Sequence, residues 1–444
     1  MFTYIKFKNY KSLINTTIDL TYKKKPKNLA IIYGENGAGK SNIASGFYTL
    51  AEFSQTMMVK DLINSVIDDL NGIEKDDERA KRMLMDMIKG RHRDTEAIIN
   101  STKTVGTDEN MSIEYGFEIE NKRGTYYIET DNERIVREKL DFVVDKNKGY
   151  YYDIDYNNNV RKMNPRVFID KTYLLELNDK LDKYWGKHTL FSIINNDIDN
   201  NVEDYLNDKL SEKFMDVLYL MLTFSCTFKD GIRTERGSLK TPNEILTKLD
   251  KGNIELKDEN ELDKAEEFLN DVFTGLYSDI KNVYYLREKK NNRIKYKLFF
   301  KKRIGNKILD IDFERESTGT MRILDILPSI YTAVNGNISI IDEFDSGIHD
   351  IMVRDILKEI NRSLEGQLIL TTHNTLLLEE EEFKNSIYFI VIDSDGYKEV
   401  LSINDYDNRT HPNNNIRDLY LKGLYEGIPY TGNFDFEEIK NRFK

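Results

Sequence analysis

The residues best able to do chemistry lie in the stretch 34–41, which has the spacing of a Walker A phosphate-binding loop: a glycine, four residues, then Gly-Lys-Ser. Glycines let backbone N–H groups turn towards phosphates, and the next helix adds its partial positive charge. ATP and Mg²⁺ are therefore the expected cofactors. The residues expected to bind the nucleotide are Asn36, Gly37, Gly39, Lys40 and Ser41, with Lys40 on the β- and γ-phosphates and Ser41 on Mg²⁺.

This loop stands in the context that the motif requires. The apolar run Leu29–Tyr33 predicts a buried strand before it, and residues 42–51 favour a helix after it. A glycine-rich turn that binds no nucleotide is the simpler alternative. The flanking strand and helix favour the phosphate-binding interpretation.

A second set of candidate residues follows another apolar strand at 337–341. Asp342 and Glu343 end that strand in the Walker B pattern, with Asp342 placed for Mg²⁺ and Glu343 for polarising the attacking water. A buried strand that merely ends in a polar turn is the alternative. Asp345, two residues on, is a further candidate nucleotide contact.

Two more stations flank the Walker B pattern. Ser317 and Gly319 open a helix that runs to about residue 327, which predicts a second anion-binding helix start. His373 ends the strand 368–372. A lone histidine after a strand is usually structural, but in this position His373 is a candidate γ-phosphate sensor.

Composition limits the classes of protein to consider. The 444 residues allow two or three packed units. The net charge of −12 argues against a surface covered in positive charge for nucleic-acid binding. The single cysteine, Cys226, excludes an internal disulfide framework. No apolar run has the length of a membrane span, so we expect a cytoplasmic protein with no membrane partner.

The elements that must position these residues divide into three predicted parts. Residues 1–170 form ATPase lobe I, with the Walker A loop, a β-meander over 111–152 and a charged helical excursion at about 61–105. Residues 171–285 have helical patterns and are predicted to be a helical insertion domain. Residues 286–444 return to strands and form lobe II, which carries the signature, Walker B, D-loop and H-loop residues.

The four stations in this order resemble an ABC-type ATPase head, and the wide gap between the two Walker motifs resembles the SMC and RecF branch. The opening Phe7-Lys8-Asn9-Tyr10-Lys11-Ser12 is similar to the first hairpin of that branch. The tail at 387–429 looks like the AAA_15/AAA_21 family, found in abortive-infection, PARIS-like and Septu-like anti-phage systems. The resemblance covers about 1–60 and 290–430, and it implies an α/β fold: a mixed central sheet with flanking helices and an antiparallel β-subdomain.

The same resemblance implies a head-to-tail dimer as the unit of a homo-oligomer. Each ATP would lie between the Walker motifs of one chain and Ser317–Gly319 of the other, so ATP joins the dimer and hydrolysis dissolves it. The chain departs from the family in two respects. The signature Glu316-Ser317-Thr318-Gly319 is looser than Leu-Ser-Gly-Gly, and neither Gln55 nor Gln367 lies where the Q-loop glutamine is expected.

The resemblance predicts that the protein is a slow regulatory ATPase of an anti-phage system. We expect it to sense a phage-derived trigger and to hold or activate a nuclease-type effector from the adjacent gene. The alternative is a RecF-like DNA-repair ATPase that binds DNA across the dimer, so nucleic acid is a further candidate partner. Its best support is a basic cluster on one hairpin, Lys289-Lys290, Lys295, Lys297 and Lys301-Lys302-Arg303. A transporter ATPase would need a membrane partner, and a C-terminal Toprim nuclease would need more chain after His373. Asp393-Ser394-Asp395 is predicted to be a hairpin turn.

Overall fold

The computed structural model describes residues 1–71, 93–200, 205–230, 233–236, 244–406, 415–428 and 435–442. Its architecture is mixed α/β, with a central mixed sheet, a large antiparallel sheet and helices packed on both. This is the expected fold class, an ABC-type ATPase head with an antiparallel β-subdomain. The apolar stripe of Met83, Leu84, Met87 and Ile88 lies outside the described residues.

The central sheet carries the Walker motifs. In spatial order its strands are Arg233–Arg236 (β12), Ser225–Asp230 (β11), Ile338–Ile341 (β17), Gln367–Thr371 (β18), Leu29–Tyr33 (β5), Ile387–Ile392 (β19) and Lys398–Ser402 (β20). The five inner strands are parallel, and the two outer strands pair antiparallel. Every residue of β5, β17 and β18 is buried, which explains their mostly apolar sequence.

The antiparallel sheet covers the other side of the Walker A helix. Its strands, in spatial order, are Val160–Met163 (β10), Asn147–Asp155 (β9), Ile135–Val144 (β8), Lys122–Thr130 (β7), Met111–Ile119 (β6), Phe2–Tyr10 (β1) and Leu13–Asp19 (β2). The predicted meander is therefore confirmed. Its first turn is Glu120-Asn121, both with positive φ, one step before the predicted Asn121–Gly124 turn, because a two-residue hairpin turn needs left-handed backbone at both positions.

The helices fill the space between and around the sheets. They are Lys40–Phe53 (α1), Thr56–Asn71 (α2), Thr95–Thr102 (α3), Lys171–Tyr184 (α4), Leu190–Asp199 (α5), Glu212–Leu222 (α6), Glu259–Leu276 (α7), Thr318–Val334 (α8), Asp350–Ser363 (α9), Ile416–Leu421 (α10) and Phe436–Asn441 (α11). Most of α1 is buried, and Tyr115 of the antiparallel sheet donates a hydrogen bond to Gly46 O of this helix at 2.6 Å. The Walker A helix thus sits between two sheets that share one core.

A third sheet precedes the signature helix α8. It consists of Lys251–Glu255 (β13), Ile280–Lys290 (β14), Arg293–Ile304 (β15) and Lys307–Asp312 (β16). The hairpin turn between β15 and β16 is the predicted Gly305-Asn306 turn. A short pair, Thr21–Tyr22 (β3) and Lys25–Pro26 (β4), places Lys23 and Lys24 in a turn.

The prediction of a helical insertion over 171–285 is wrong for part of that range. Its first part contains the helices α4, α5 and α6, but β11 is a parallel neighbour of the Walker B strand, and β13 and β14 belong to the third sheet. Residues 222–228 alternate between apolar and polar types, which is the period of a strand, so this pattern could have indicated β11. Lobe I and lobe II therefore share a sheet whose edge comes from the predicted insertion.

No helix in the described part of the chain is both long enough and apolar enough to cross a membrane.

Candidate nucleotide-binding site

The Walker A loop lies between β5 and α1, as predicted. The backbone of Gly39, the residue before α1, has φ +107°, in the left-handed region that favours glycine. Asn36 and Gly37 are exposed at the tip of the loop. The N–H groups at the start of α1 have no side-chain cap from residue 39, which leaves them available to an anion.

Lys40 is the buried cation of this site. Its ammonium donates to Gly34 O at 2.7 Å and to Glu35 O at 3.0 Å. Burial lowers the pKa of Lys40, and the carboxylates of Asp342, Glu343 and Asp345 oppose that shift. The lysine of the first Walker motif is thus close enough to the second motif to be coupled to its charges.

Asp342 follows β17 directly and is only 1% exposed. Its Oδ1 accepts a hydrogen bond of 2.6 Å from the hydroxyl of Thr371, the last residue of β18. The backbone N–H of Asp342 donates to Thr227 O of β11 at 2.8 Å. Neighbouring strands on both sides therefore fix the orientation of this carboxylate.

Glu343 has a left-handed backbone with φ +47°, which is uncommon for a residue with a side chain. Contacts on both sides hold it there. Its N–H donates to Thr371 Oγ1 at 2.8 Å, and its carbonyl accepts from Arg322 Nη2 at 2.9 Å. Arg322, a buried residue of α8, also donates to Asp342 O at 2.7 Å.

His373 and Asp345 meet beside these residues. The backbone N–H of His373 donates to Asp345 Oδ2 at 3.1 Å, and the imidazole is exposed. Burial and the nearby Lys40 lower the pKa of His373, opposed by Asp345, Glu343 and Asp342. The Oδ1 atom of Asp345 is buried and has no hydrogen-bond partner among the described residues.

Sheet topology explains why these residues meet. The strands β17, β18 and β5 are adjacent and parallel, so their carboxyl ends lie at the same edge. The Walker A loop, the Asp342-Glu343 pair and His373 each follow one of these three ends. The structure therefore brings together most of the predicted catalytic and binding residues.

Ser317 and Gly319 are positioned elsewhere, at the N-terminus of α8. Ser317 is exposed and caps the helix, accepting from Thr320 N at 3.2 Å. The preceding Glu316 is held by an ion pair with Lys302 at 2.7 Å. No hydrogen bond in the described part of the chain joins Ser317 to the Walker A loop.

Residues 235–379 match the AAA_21 family, described as "AAA domain, putative AbiEii toxin, Type IV TA system". This match spans the signature, the Walker B pair and His373, while the Walker A loop lies on the neighbouring strand of the same sheet. This part of the chain is thus similar to an AAA domain. No curated protein matches the chain.

Several solved structures are similar to this chain over 90% of its length. An SMC head bound to the C-terminal winged-helix domain of ScpA has 14% identity and a TM-score of 0.41, with 97% of that chain covered. The SMC head domain from Thermotoga maritima has 12% identity and a TM-score of 0.36, with 98% covered. The recombination mediator protein RecF has 11% identity and a TM-score of 0.37, with 98% covered.

Sequence reasoning missed two side chains that organise the candidate site, Thr371 and Arg322. Thr371 bridges the Asp342 carboxylate and the Glu343 N–H, and Arg322 binds the carbonyls of the same pair. Neither belongs to a motif by residue type. Only the position of Thr371 at the end of a buried strand beside the Walker B strand could have indicated its role.

Gln367 is not available as a Q-loop ligand. It is fully buried in β18, where its amide donates to Phe2 O at 2.9 Å and accepts from Phe2 N at 2.7 Å. The side chain thus ties β1 to the central sheet in place of a strand partner. The strand beside Walker B on the other side is β11, whose carboxyl end lies at the same edge as Asp342.

A cavity of about 870 Å³ opens beside α8, away from the Walker A loop. It is lined by residues 246–250, by Phe313 and Glu314, by one face of α8 and by Ser346 and Gly347. The Walker A residues do not line it. The phosphate site is therefore defined by the strand ends and their side chains and not by this cavity.

Proposed function

We propose that this chain binds and hydrolyses ATP slowly, as the regulatory subunit of a bacterial anti-phage system. The observation that carries the proposal is the convergence of Lys40, Asp342, Glu343 and His373 at the ends of three adjacent parallel strands. A phosphate-binding loop, a buried carboxylate and a carboxylate beside it are the parts that nucleotide hydrolysis needs in one place.

In this proposal each residue has a separate task. Lys40 and the loop N–H groups bind the β- and γ-phosphates, and Glu343 polarises the attacking water. His373, whose pKa is lowered, is neutral at pH 7 and can offer one ring N–H to the γ-phosphate. Thr371 and Arg322 hold the backbone of Glu343, which keeps its carboxylate in one orientation.

The donor set at these strand ends fits Mg²⁺, which prefers oxygen ligands and takes few protein carboxylates. The Ser41 hydroxyl and the Asp342 carboxylate would hold the ion. The Oδ1 atom of Asp345 is buried and has no hydrogen-bond partner among the described residues, so this oxygen can accept a further contact beside the ion. Bound Mg²⁺ would neutralise phosphate charge during transfer.

The exposed start of α8 supports assembly through nucleotide. Ser317 is exposed, and with the first N–H groups of α8 it forms an anion-binding helix start. A second chain packed head-to-tail would place these groups on the γ-phosphate bound by the first. ATP then stabilises the dimer, and hydrolysis releases it.

The defence role is supported by the family match of residues 235–379, whose description refers to an abortive-infection-type toxin. We infer that the ATP-bound assembly holds or activates a separate effector from the adjacent gene.

Direct DNA binding is less well supported. Several lysines of the basic cluster on the β14–β15 hairpin form ion pairs within the chain. Lys289 pairs with Glu259, Lys297 with Asp312 and Glu314, and Lys302 with Glu316 and Asp279.

The test is the mass of the Glu343→Gln variant in solution with and without ATP and Mg²⁺, alone and with the product of the adjacent gene. We expect ATP to remain bound and to drive an oligomer that captures that product. Lys40→Ala should lose nucleotide binding. The matched control for Glu343→Gln is Glu365→Gln, the same change at an exposed residue. If Glu343→Gln hydrolysed ATP at the parental rate, Glu343 would not be the residue that polarises the water. If the variant stayed a monomer with ATP bound, the dimer mechanism would be wrong.

A further inference from the structure

Lys398 connects the C-terminal hairpin to the Walker A loop. It is the first residue of β20, at the edge of the central sheet, and its side chain is half-buried. Its ammonium donates to Gly37 O in the loop at 2.8 Å and to Ser12 Oγ at 2.7 Å. A residue 361 positions away in sequence is thus bonded to the tip of the phosphate-binding loop.

Ser12 makes this contact a junction of three elements. It lies in the turn between β1 and β2, and its hydroxyl oxygen also accepts from Asn42 Nδ2 of α1 at 2.7 Å. The backbone of Lys398 is fixed in turn, since its carbonyl accepts from Thr16 Oγ1 of β2 at 2.8 Å. The lysine therefore approaches the loop from a rigid base.

The carbonyl that Lys398 binds belongs to the part of the loop that must keep one shape. Gly37 has φ +84°, and a glycine in this region has little intrinsic preference for one conformation. A phosphate-binding loop directs its N–H groups towards the anion, so its carbonyls need donors on the other side. Lys398 supplies that donor at Gly37.

The charge of Lys398 also matters for an anionic ligand. Burial lowers the pKa of this lysine, opposed by the nearby charge of Glu35. No carboxylate in the described part of the chain forms an ion pair with its ammonium. A half-buried cation without an ion-pair partner is costly, and a polyphosphate bound in the adjacent loop would reduce that cost.

We propose that Lys398 is a positioning residue of the nucleotide site, which acts through Gly37 and Ser12 to hold the Walker A loop in its phosphate-binding shape. The inference rests on the proposed ATP binding of this chain. It assigns the C-terminal hairpin a role in nucleotide affinity as well as in completing the sheet.

The experiment compares the dissociation constants of MgATP for the parent, Lys398→Met, Lys398→Arg and the exposed-lysine control Lys6→Met, with the nucleotide-free melting temperature of each. Lys398→Met keeps the length of the side chain and removes its donors and charge. We expect affinity to fall about tenfold, as for the loss of a charged hydrogen bond. Lys398→Arg should recover most of it, and Lys6→Met should match the parent.

Ser12→Ala provides a second variant that leaves the charge in place. It should weaken binding less than Lys398→Met, because the bond to Gly37 remains. The proposal would be overturned if Lys398→Met bound MgATP as tightly as the parent. It would also be overturned if the weaker binding came with a corresponding fall in the nucleotide-free melting temperature. If the parent itself bound no ATP, the proposed function would fail first, and Lys40→Ala separates that result from a failure of Lys398 alone.

Discussion

At the scale of single residues, Gly319 is the position in the site with the least room. An added Cβ atom would lie 2.4 Å from Gly347 O, a backbone atom of the loop that follows the Walker B strand. Gly347 itself has φ +75°, in the left-handed region that favours glycine. The start of the signature helix and the loop beyond Asp345 therefore fix each other's position.

We predict that Gly319→Ala destabilises the fold by about 1–3 kcal/mol, the usual cost of overpacking, and that ATP turnover falls because the signature helix is displaced. Urea unfolding and steady-state ATP hydrolysis measure the two effects. Gly275→Ala is the matched control, because it lies in α7 with nothing within 4 Å of an added Cβ. Equal stability and turnover in Gly319→Ala and the parent would contradict the contact.

Residues of the site could be predicted where a motif fixes both their type and their spacing. Asp342 and His373 follow short apolar runs, and Lys40 follows another through a glycine-rich turn, so the motif context predicted the strands that the structure has there. Thr371 and Lys398 could not be found in this way. Their contacts, to Asp342 and Gly37, depend on which strands are neighbours in the sheet, and the sequence pattern does not specify that order.

At the scale of elements, Glu138 joins the antiparallel sheet to α5. It lies on β8, is fully buried, and accepts hydrogen bonds from Tyr126 and Tyr152 on the adjacent strands. Its Oε2 accepts from Leu190 N, the first N–H of α5, at 2.7 Å. One carboxylate thus satisfies groups of two strands and of a helix start.

We predict that Glu138→Gln lowers the free energy of unfolding by about 1–3 kcal/mol. In the variant, the amide oxygen can replace Oε1 and accept from the two tyrosines. The amide NH₂ then takes the place of Oε2 and faces the Leu190 N–H, so two donors meet and the hydrogen bond to Leu190 N is lost. Urea unfolding at fixed pH measures the loss, with the exposed Glu133→Gln as control. A stability equal to that of the control would show that α5 is held by other contacts.

The same residue gives a pH dependence. Burial raises the pKa of Glu138. A carboxyl whose pKa is raised in the fold contributes stability that is present below the pKa of the unfolded chain and is lost as pH rises through the folded value. The stability difference between the parent and Glu138→Gln should therefore narrow from pH 5 to pH 8. A difference that widens over this range would contradict the raised pKa.

At the scale of the whole molecule, one chain carries two separate halves of the proposed site. The Walker residues and His373 meet at the strand ends, while Ser317 is exposed at the start of α8 and bonds within its own helix. If two chains pair head-to-tail, as proposed, the exposed helix start of each chain would complete the nucleotide site of the other.

This division predicts complementation between two inactive chains. Lys40→Ala removes phosphate binding, and Ser317→Arg blocks the exposed helix start without touching the Walker residues, so each variant alone should lose ATP hydrolysis. In a mixed dimer, the Walker residues of the Ser317→Arg chain face the intact signature of the Lys40→Ala chain. Random pairing makes half of the dimers mixed, with one working site of two, so an equal mixture should recover about a quarter of parental activity. Hydrolysis by Ser317→Arg alone at the parental rate, or no recovery on mixing, would show that the site is completed within one chain.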